Sequence, residues 1–374
     1  MTKVKRYKIM MTSEIGFYVP ALKWGKAFVP IPPKRIIGIE TLMSDLASCS
    51  SVLSKLDTLI VRLPDPYLLT ENLIFMEAVT SSRIEGTKAS FEELFTTQDV
   101  TEDVLEVKNC AEAFREGQKI REGAHSVIEL AKGLHSVLMK NHKEIKGGEL
   151  KKTQNYTIKK NGSIFSYTPP HFLDEAIASF ESFTMQDDDK IPELIRQAIS
   201  HWIFEQIHPF PDGNGRVGRL LIPLLLQYKG IVATPFALIS EAVETQKHIY
   251  IEQFERLLDT QDWIPWCRFF LSMLNINAQK NINRIEQLES LRLDYQKRTS
   301  KKSKGSLLPK ITQDLFKKPR FTRKELQETY GLSPRGASII VQEMTDLNLI
   351  KSVDSFKQRN VLYEAFEVLE TVLR

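Results

Sequence analysis

Cysteine is scarce in this chain of 374 residues: Cys49, Cys110 and Cys267 are scattered, odd in number and without a CxxC pair. They exclude a disulfide framework and a CxxC metal knuckle, and they point to a reducing, cytoplasmic setting. Long apolar runs are missing too. The longest, LLIPLLL at 220–226, falls far short of the roughly 20 residues that a spanning helix needs, so no membrane segment is expected. Residues 1–17 are basic with no apolar core, unlike a secretory signal, and no export is expected. The seven histidines show no HExxH spacing. His208 and Asp212 lie four apart with no further soft ligand, so zinc is not expected. A GxxxxGK[ST] loop is absent, as is the HRD and DFG pair, which excludes a P-loop or protein-kinase site.

What remains is an ordinary globular composition, 42% hydrophobic and 26% charged, long enough for two or three domains. The net charge of +4 is unevenly spread. From Gln296 onward there are 16 Lys and Arg against 9 Asp and Glu, or +7, which leaves −3 for the rest. Residues 14–35, with four prolines, read as an extended arm with little regular structure. Helical periodicity follows, and a helix over about 67–86 is entered through Pro64 and Pro66 and closed by Gly86. Further amphipathic helices fit 103–120, 127–142 and 191–207. Between them, residues 155–170 alternate around Asn161-Gly162, the pair favoured in a type I′ hairpin turn. The expected fold is mainly α, with a small β-hairpin flap. The divisions are 1–100 for the arm and first helices, 101–295 for a helical core, 296–306 for a polar linker and 307–374 for a basic winged helix-turn-helix.

The densest chemistry is IHPFPDGNGRVGRLL at 207–221. Gly213, Asn214 and Gly215 are poor helix interior, yet a strong helical pattern starts at Arg216. The stretch therefore reads as a loop feeding a helix N-terminus, where free N–H groups and close-approaching glycine backbone suit a phosphate. Arg216 and Arg219, three apart, add guanidinium donors on one face, with Val217 and Gly218 between them. Asp212 offers the hard oxygen that a phosphate-bound Mg²⁺ takes from protein, and His208 can accept a proton near neutral pH. Together they describe attack of an activated hydroxyl on a nucleotide phosphate.

HPFPDGNGR followed by Arg219 resembles the signature HPFx[D/E]GNGRxxR of Fic-domain proteins at every specified position. The resemblance implies an α-helical enzyme that moves AMP from Mg-ATP to a Ser, Thr or Tyr hydroxyl of a target protein. It implies His208 as base, Asp212 as Mg²⁺ ligand, Gly213, Asn214 and Gly215 as the α- and β-phosphate nest, and Arg216 and Arg219 as the outer phosphate clamp. Gly215 stands where kinase-like Doc relatives carry lysine, which favours AMP transfer. GGELKKTQN at 147–155 is similar to the family's PGxxRxxQ, with Gly147 for proline and Lys151 for arginine. Tyr250 and Ile251 stand where a Tyr-Tyr pair near the adenine is usual.

Upstream, SSRIEG at 81–86 resembles the family's inhibitory pattern [S/T]xxxE[G/N] through Ser81, Glu85 and Gly86. Ser81 and Glu85 share one helical face. By resemblance Glu85 pairs with Arg219 and takes the place of the γ-phosphate, with release through target binding or self-association into a homodimer. The hairpin residues Ile164, Phe165, Ser166 and Tyr167 are expected to meet target and nucleotide. The tail offers DNA or protein contact around Ser333–Ile340, with Lys357 and Arg359 on the wing. Other readings are removal of AMP from a modified target, with Glu85 positioning water, and a DNA-binding regulator with a vestigial core.

Overall fold

The computed structural model describes residues 11–21, 25–95, 100–159, 161–187, 190–300, 307–353 and 361–374. Lys357 and Arg359 lie outside them. Three strands open the chain, β1 (Met11–Ser13), β2 (Gly16–Ala21) and β3 (Gly25–Pro30), and form an antiparallel meander. This departs from the irregular arm expected at 14–35. Of the prolines that read as breakers, Pro20 lies opposite Lys26 and Pro30 opposite Gly16 in the β2–β3 ladder, while Pro32 and Pro33 follow β3.

Helices α1 (Met43–Arg62) and α2 (Pro66–Glu85) follow. The Asp65 side chain accepts from Leu68 N, Pro66 occupies the first turn, and Gly86 at φ 110 closes α2 by donating to Arg83 O. Residues all round α2 are buried, from Leu68 to Ile84, as in a helix at the centre of its domain. Next come α3 (Glu102–Gly123) and α4 (Val127–Leu138), then strands β4 (Tyr156–Ile158) and β5 (Ile164–Ser166). The turn is not the expected one centred on Asn161-Gly162: Gly162 N donates to Lys159 O, so Gly162, at φ 79, closes the turn. Asn161 instead accepts from Ser163 N through its side chain, an Asx arrangement. Strand β5 pairs with β3 at Ala27 and Ser166, giving the order β1-β2-β3-β5-β4. The flap is thus part of a five-stranded sheet, with β4 at its edge.

The middle of the chain supplies α5 (Leu173–Met185), α6 (Glu193–Ile207), α7 (Asn214–Tyr228), α8 (Ser240–Thr245), α9 (Lys247–Thr260) and α10 (Trp263–Ser300). Trp202, Phe204, Trp266 and Phe270 are fully buried around α6. The expected linker begins too early, because residues 296–300 continue α10. Arg298 of this stretch pairs with Glu367 of the tail at 2.9 Å, and just before it the buried Tyr295 donates to Leu349 O.

The tail contains α11 (Leu308–Asp314), β6 (Arg320–Thr322), α12 (Arg323–Tyr330), α13 (Pro334–Asp346), β7 (Lys351–Ser352), β8 (Leu362–Glu364) and α14 (Phe366–Leu373). A Thr322/Glu325 capping box starts α12, and Ser333 caps α13. Asn72 on α2 donates to Phe316 O at 2.6 Å, a buried contact between tail and core. Among the described residues, no helix is long and apolar enough to cross a membrane.

Candidate active site

Helix α6 ends on His208, whose left-handed backbone (φ 51, ψ 60) turns the chain into the motif loop. The imidazole Nδ1 lies 3.3 Å from Glu205 O. A proton on Nδ1 donated to that carbonyl leaves Nε2 with a free lone pair. The Tyr167 ring stacks on the imidazole at 4.0 Å and 14°. Burial, reinforced by Lys151, pushes the His208 pKa down to about 4, so the ring is neutral at physiological pH and able to take a proton.

The loop is braced from several sides. Asn214 accepts from Phe210 N at 2.8 Å and donates to Phe210 O at 2.9 Å, so its buried side chain serves the turn and only its backbone remains for an anion. His135 accepts from Gly148 N through Nδ1, contacts Asp212 O through Nε2 at 3.2 Å and stacks on Phe210 at 4.1 Å. It is structural, as the sequence suggests for a histidine on an amphipathic helix. Asn155 donates to Phe210 O and Pro211 O. Replacing Asn214 by alanine strands a buried N–H and C=O, and a loss of about 1–3 kcal/mol is expected, read as a lower unfolding midpoint in urea.

Gly213 at φ 72 precedes α7, where the first intrahelical bond runs from Val217 N to Gly213 O. The N–H groups of Asn214, Gly215 and Arg216 therefore have no intrahelical partner and face the loop with the positive end of the helix dipole. The Asp212 carboxylate is exposed, 3.5 Å from the Arg216 guanidinium. A single exposed carboxylate beside a phosphate nest fits Mg²⁺, which takes one or two protein oxygens and fills its shell with phosphate and water.

Glu85, at the end of α2, stands over this nest. Its Oε1 accepts from Arg219 Nη2 at 2.7 Å, while Ser81 takes the rest of the guanidinium, Nε to Oγ at 2.9 Å and Nη2 to the carbonyl at 2.8 Å. Arg219 is 2% exposed. An added Cβ on Gly215 would collide with Glu85 Oε1, so the carboxylate sits directly against the start of α7. Although burial works against its charge, Arg219 holds the Glu85 acid below the ordinary carboxylate range. Lys247 Nζ donates to Ile84 O at 2.5 Å and caps the same helix end.

These groups border a cleft of about 300 Å³ between the flap, α6, α7 and α9. Glu85, His208, Gly215, Arg219 and Tyr250 line it, with Phe165 and Tyr167 from the flap. Ile164 is exposed and Ser166 is buried in the sheet. Other expected contacts are not brought to the cleft. Val217 is fully buried, and an added Cβ on Gly218 would meet Glu205, so both residues serve helix packing. Arg216 is buried on α7 and pairs with Glu106 of α3 at 3.0 Å. Tyr250 lines the cleft, but its hydroxyl is tied to His201 Nε2 at 2.8 Å, while Ile251, Phe254 and Leu258 supply the apolar wall beside it.

Sequence reasoning missed Glu106, Lys247 and Glu205. The first two act across long sequence separations and carry no local signal. Glu205 does carry one: it is an acid on an otherwise apolar face, three residues before the motif histidine.

Residues 127–226 match the model of the Fic/DOC family, and residues 43–119 match the model of the Fic/DOC family N-terminal region. A probable protein adenylyltransferase of Aquifex aeolicus is 29% identical over 177 residues, 45% of this chain and 53% of that protein. Protein adenylyltransferase Fic of Drosophila grimshawi is 30% identical over 139 residues, 36% of this chain and 26% of that protein. The chain thus spans about half or less of the length of these curated relatives. Among solved structures, a Fic family protein from Desulfovibrio desulfuricans superposes with a TM-score of 0.57 at 18% identity, over 89% of this chain and 98% of that one. A Fic domain containing signaling protein from Bacteroides thetaiotaomicron reaches 0.52 at 20% identity, over 64% and 97%. At such identities the structural likeness speaks for the fold. With the two family models matched in tandem over 43–119 and 127–226, the second enclosing the complete HPFPDGNGR motif, residues 43–226 of the chain belong to the Fic/DOC family.

Proposed function

We propose that this chain is a protein adenylyltransferase held in an inhibited state by Glu85. The observation that carries the reading is the shared use of one cleft: a neutral histidine with a free Nε2, an anion-ready helix N-terminus and a buried arginine already occupied by a carboxylate. Relatives named as protein adenylyltransferases support the class of reaction. In the proposed step the target hydroxyl gives its proton to His208 Nε2 and its oxygen attacks the α-phosphorus of ATP. The bond to the bridging oxygen breaks and pyrophosphate leaves. Backbone N–H groups of Asn214, Gly215 and Arg216 stabilise charge on the phosphates, and Arg219 takes the outer phosphate once Glu85 withdraws. Mg²⁺, held by Asp212, would neutralise phosphate charge.

The target segment adds along β4, the end strand of the sheet among the described residues, whose Tyr156 and Ile158 are exposed. This moves the expected docking strand from β5, which is enclosed between β4 and β3, to its neighbour. The tail, with the element order of a winged helix, is assigned contact with DNA or protein. With Glu85→Gly protein and a cell lysate, label from α-labelled ATP is expected on protein while γ-labelled ATP gives none. Transfer of the γ label would replace the reading with phosphorylation.

A further inference from the structure

Glu205 lies one turn before His208 on α6 and lines the same cleft as Glu85, Arg219 and Tyr250. Its Oε1 is shut off from solvent and has no hydrogen-bond partner. The fit is close, because an added Cβ on Gly218 would run into that oxygen; glycine is what lets the acid stand against α7 beside Arg219. One guanidinium therefore has two carboxyl groups in its cleft, of which only Glu85 is engaged. With Glu85 in place, Glu205 carries its proton: burial pushes its acid up to about 8 against the pull of Arg219, and the charge of Glu85 adds to the rise. Withdrawal of Glu85 would leave Arg219 as a buried cation without a carboxylate, an expensive state.

We propose that Glu205 is the stand-by counter-ion of Arg219, ionising as Glu85 leaves and yielding the guanidinium when a nucleotide phosphate arrives. This rests on the reading of Glu85 as a brake. The step balances: the Glu205 carboxyl proton goes to solvent as the Glu85–Arg219 contact breaks, and a proton returns when phosphate takes Arg219. The titratable and charged groups that share the cleft with Glu205 are Arg219 on α7, Glu85 on α2, Tyr250, Lys247 and Glu255 on α9, Tyr167 and Lys159 on the flap and His208 at the end of its own helix. Deeper on α2, Glu77 bonds to Ser240, and its burial pushes it up to about 7. In the held state Glu205 titrates near 8, and in the released state, ionised beside Arg219, it titrates lower. Release therefore sheds a proton, and the released fraction climbs with pH up to about 8 and levels off above it.

The test is AMP incorporation from α-labelled ATP by the full chain and its Glu85→Gly, Glu205→Gln and doubly substituted forms, between about pH 6 and about pH 9. Glu205→Gln is expected to lower the rate of the otherwise unaltered chain about tenfold, one pKa unit of release, and that of Glu85→Gly by less than about threefold. Equal losses in both backgrounds would overturn the proposal, whereas failure of Glu85→Gly to raise the rate would sink the brake itself. Should Glu205→Gln not fold, the rate of the unaltered chain relative to Glu85→Gly is still expected to rise with pH, and to do so in Glu77→Gln as well. A flat ratio, or a rise lost in Glu77→Gln, would count against Glu205.

Discussion

Replacing Glu85 by glycine is expected to raise AMP incorporation from ATP by about 5- to 150-fold, the range of a coupling between two sites of about 1–3 kcal/mol. The gain comes from Arg219. In the resting structure its guanidinium is spent on Glu85 and Ser81. A triphosphate entering the cleft must displace the carboxylate that stands over Gly215 before its own outer phosphate can be held. Glycine removes the competitor and leaves the fold of α2 almost untouched, since the cap at Gly86 and the Lys247 contact to Ile84 O are made by backbone. Ser81→Ala, which removes only one of the contacts to Arg219, is expected to move the rate the same way by a smaller factor. An unchanged rate in Glu85→Gly would show that Arg219 is not limiting.

His208→Ala, made in the Glu85→Gly background so that the starting rate is high, is expected to lower transfer by a factor of about 10³ or more, the upper part of the range for losing a general base. Nucleotide binding should change little, because the phosphate contacts come from the α7 N-terminus and Arg219. The pH profile supplies a second reading. A free imidazole titrates near 6.5, but burial and Lys151 push His208 down to about 4. The base is therefore competent above about pH 4, and the acid limb of kcat/KM is expected there, with activity falling as pH drops through that value. An acid limb near 6.5 would mean that His208 is solvated in the working enzyme.

The motif was legible because its parts are adjacent in sequence and its geometry is local. The turn at His208, the positive φ of Gly213 and the start of α7 follow from residue types within a dozen positions. Helix α2 was legible for the same reason, with Asp65, Pro66 and Gly86 marking its ends. The resemblance to a family supplied the pairing of Glu85 with Arg219, which are 134 positions apart in sequence and 2.7 Å apart in space. Local periodicity carries no such information. It also failed at the N-terminal meander, where the strands take in Pro20 and Pro30, and at α5, which went unread because Leu173–Met185 follows two prolines and a histidine with no capping side chain. The polar stretch after Tyr295 misled because polarity alone does not mark a linker: Arg298 pairs with Asp294 on its own helix and with Glu367 of α14. Val217 and Gly218, read as site residues with their neighbours, take part in packing: Val217 is fully buried and Gly218 stands against Glu205.

The central claim is that Glu85 and the outer phosphate of ATP compete for Arg219. Calorimetric titration of a non-hydrolysable ATP analogue and of AMP into the unaltered chain and into Glu85→Gly tests it most directly. A gain in affinity of about tenfold or more for the triphosphate alone is expected, since AMP has no outer phosphate to use the freed guanidinium. Equal gains for both nucleotides, or none for either, would contradict the competition.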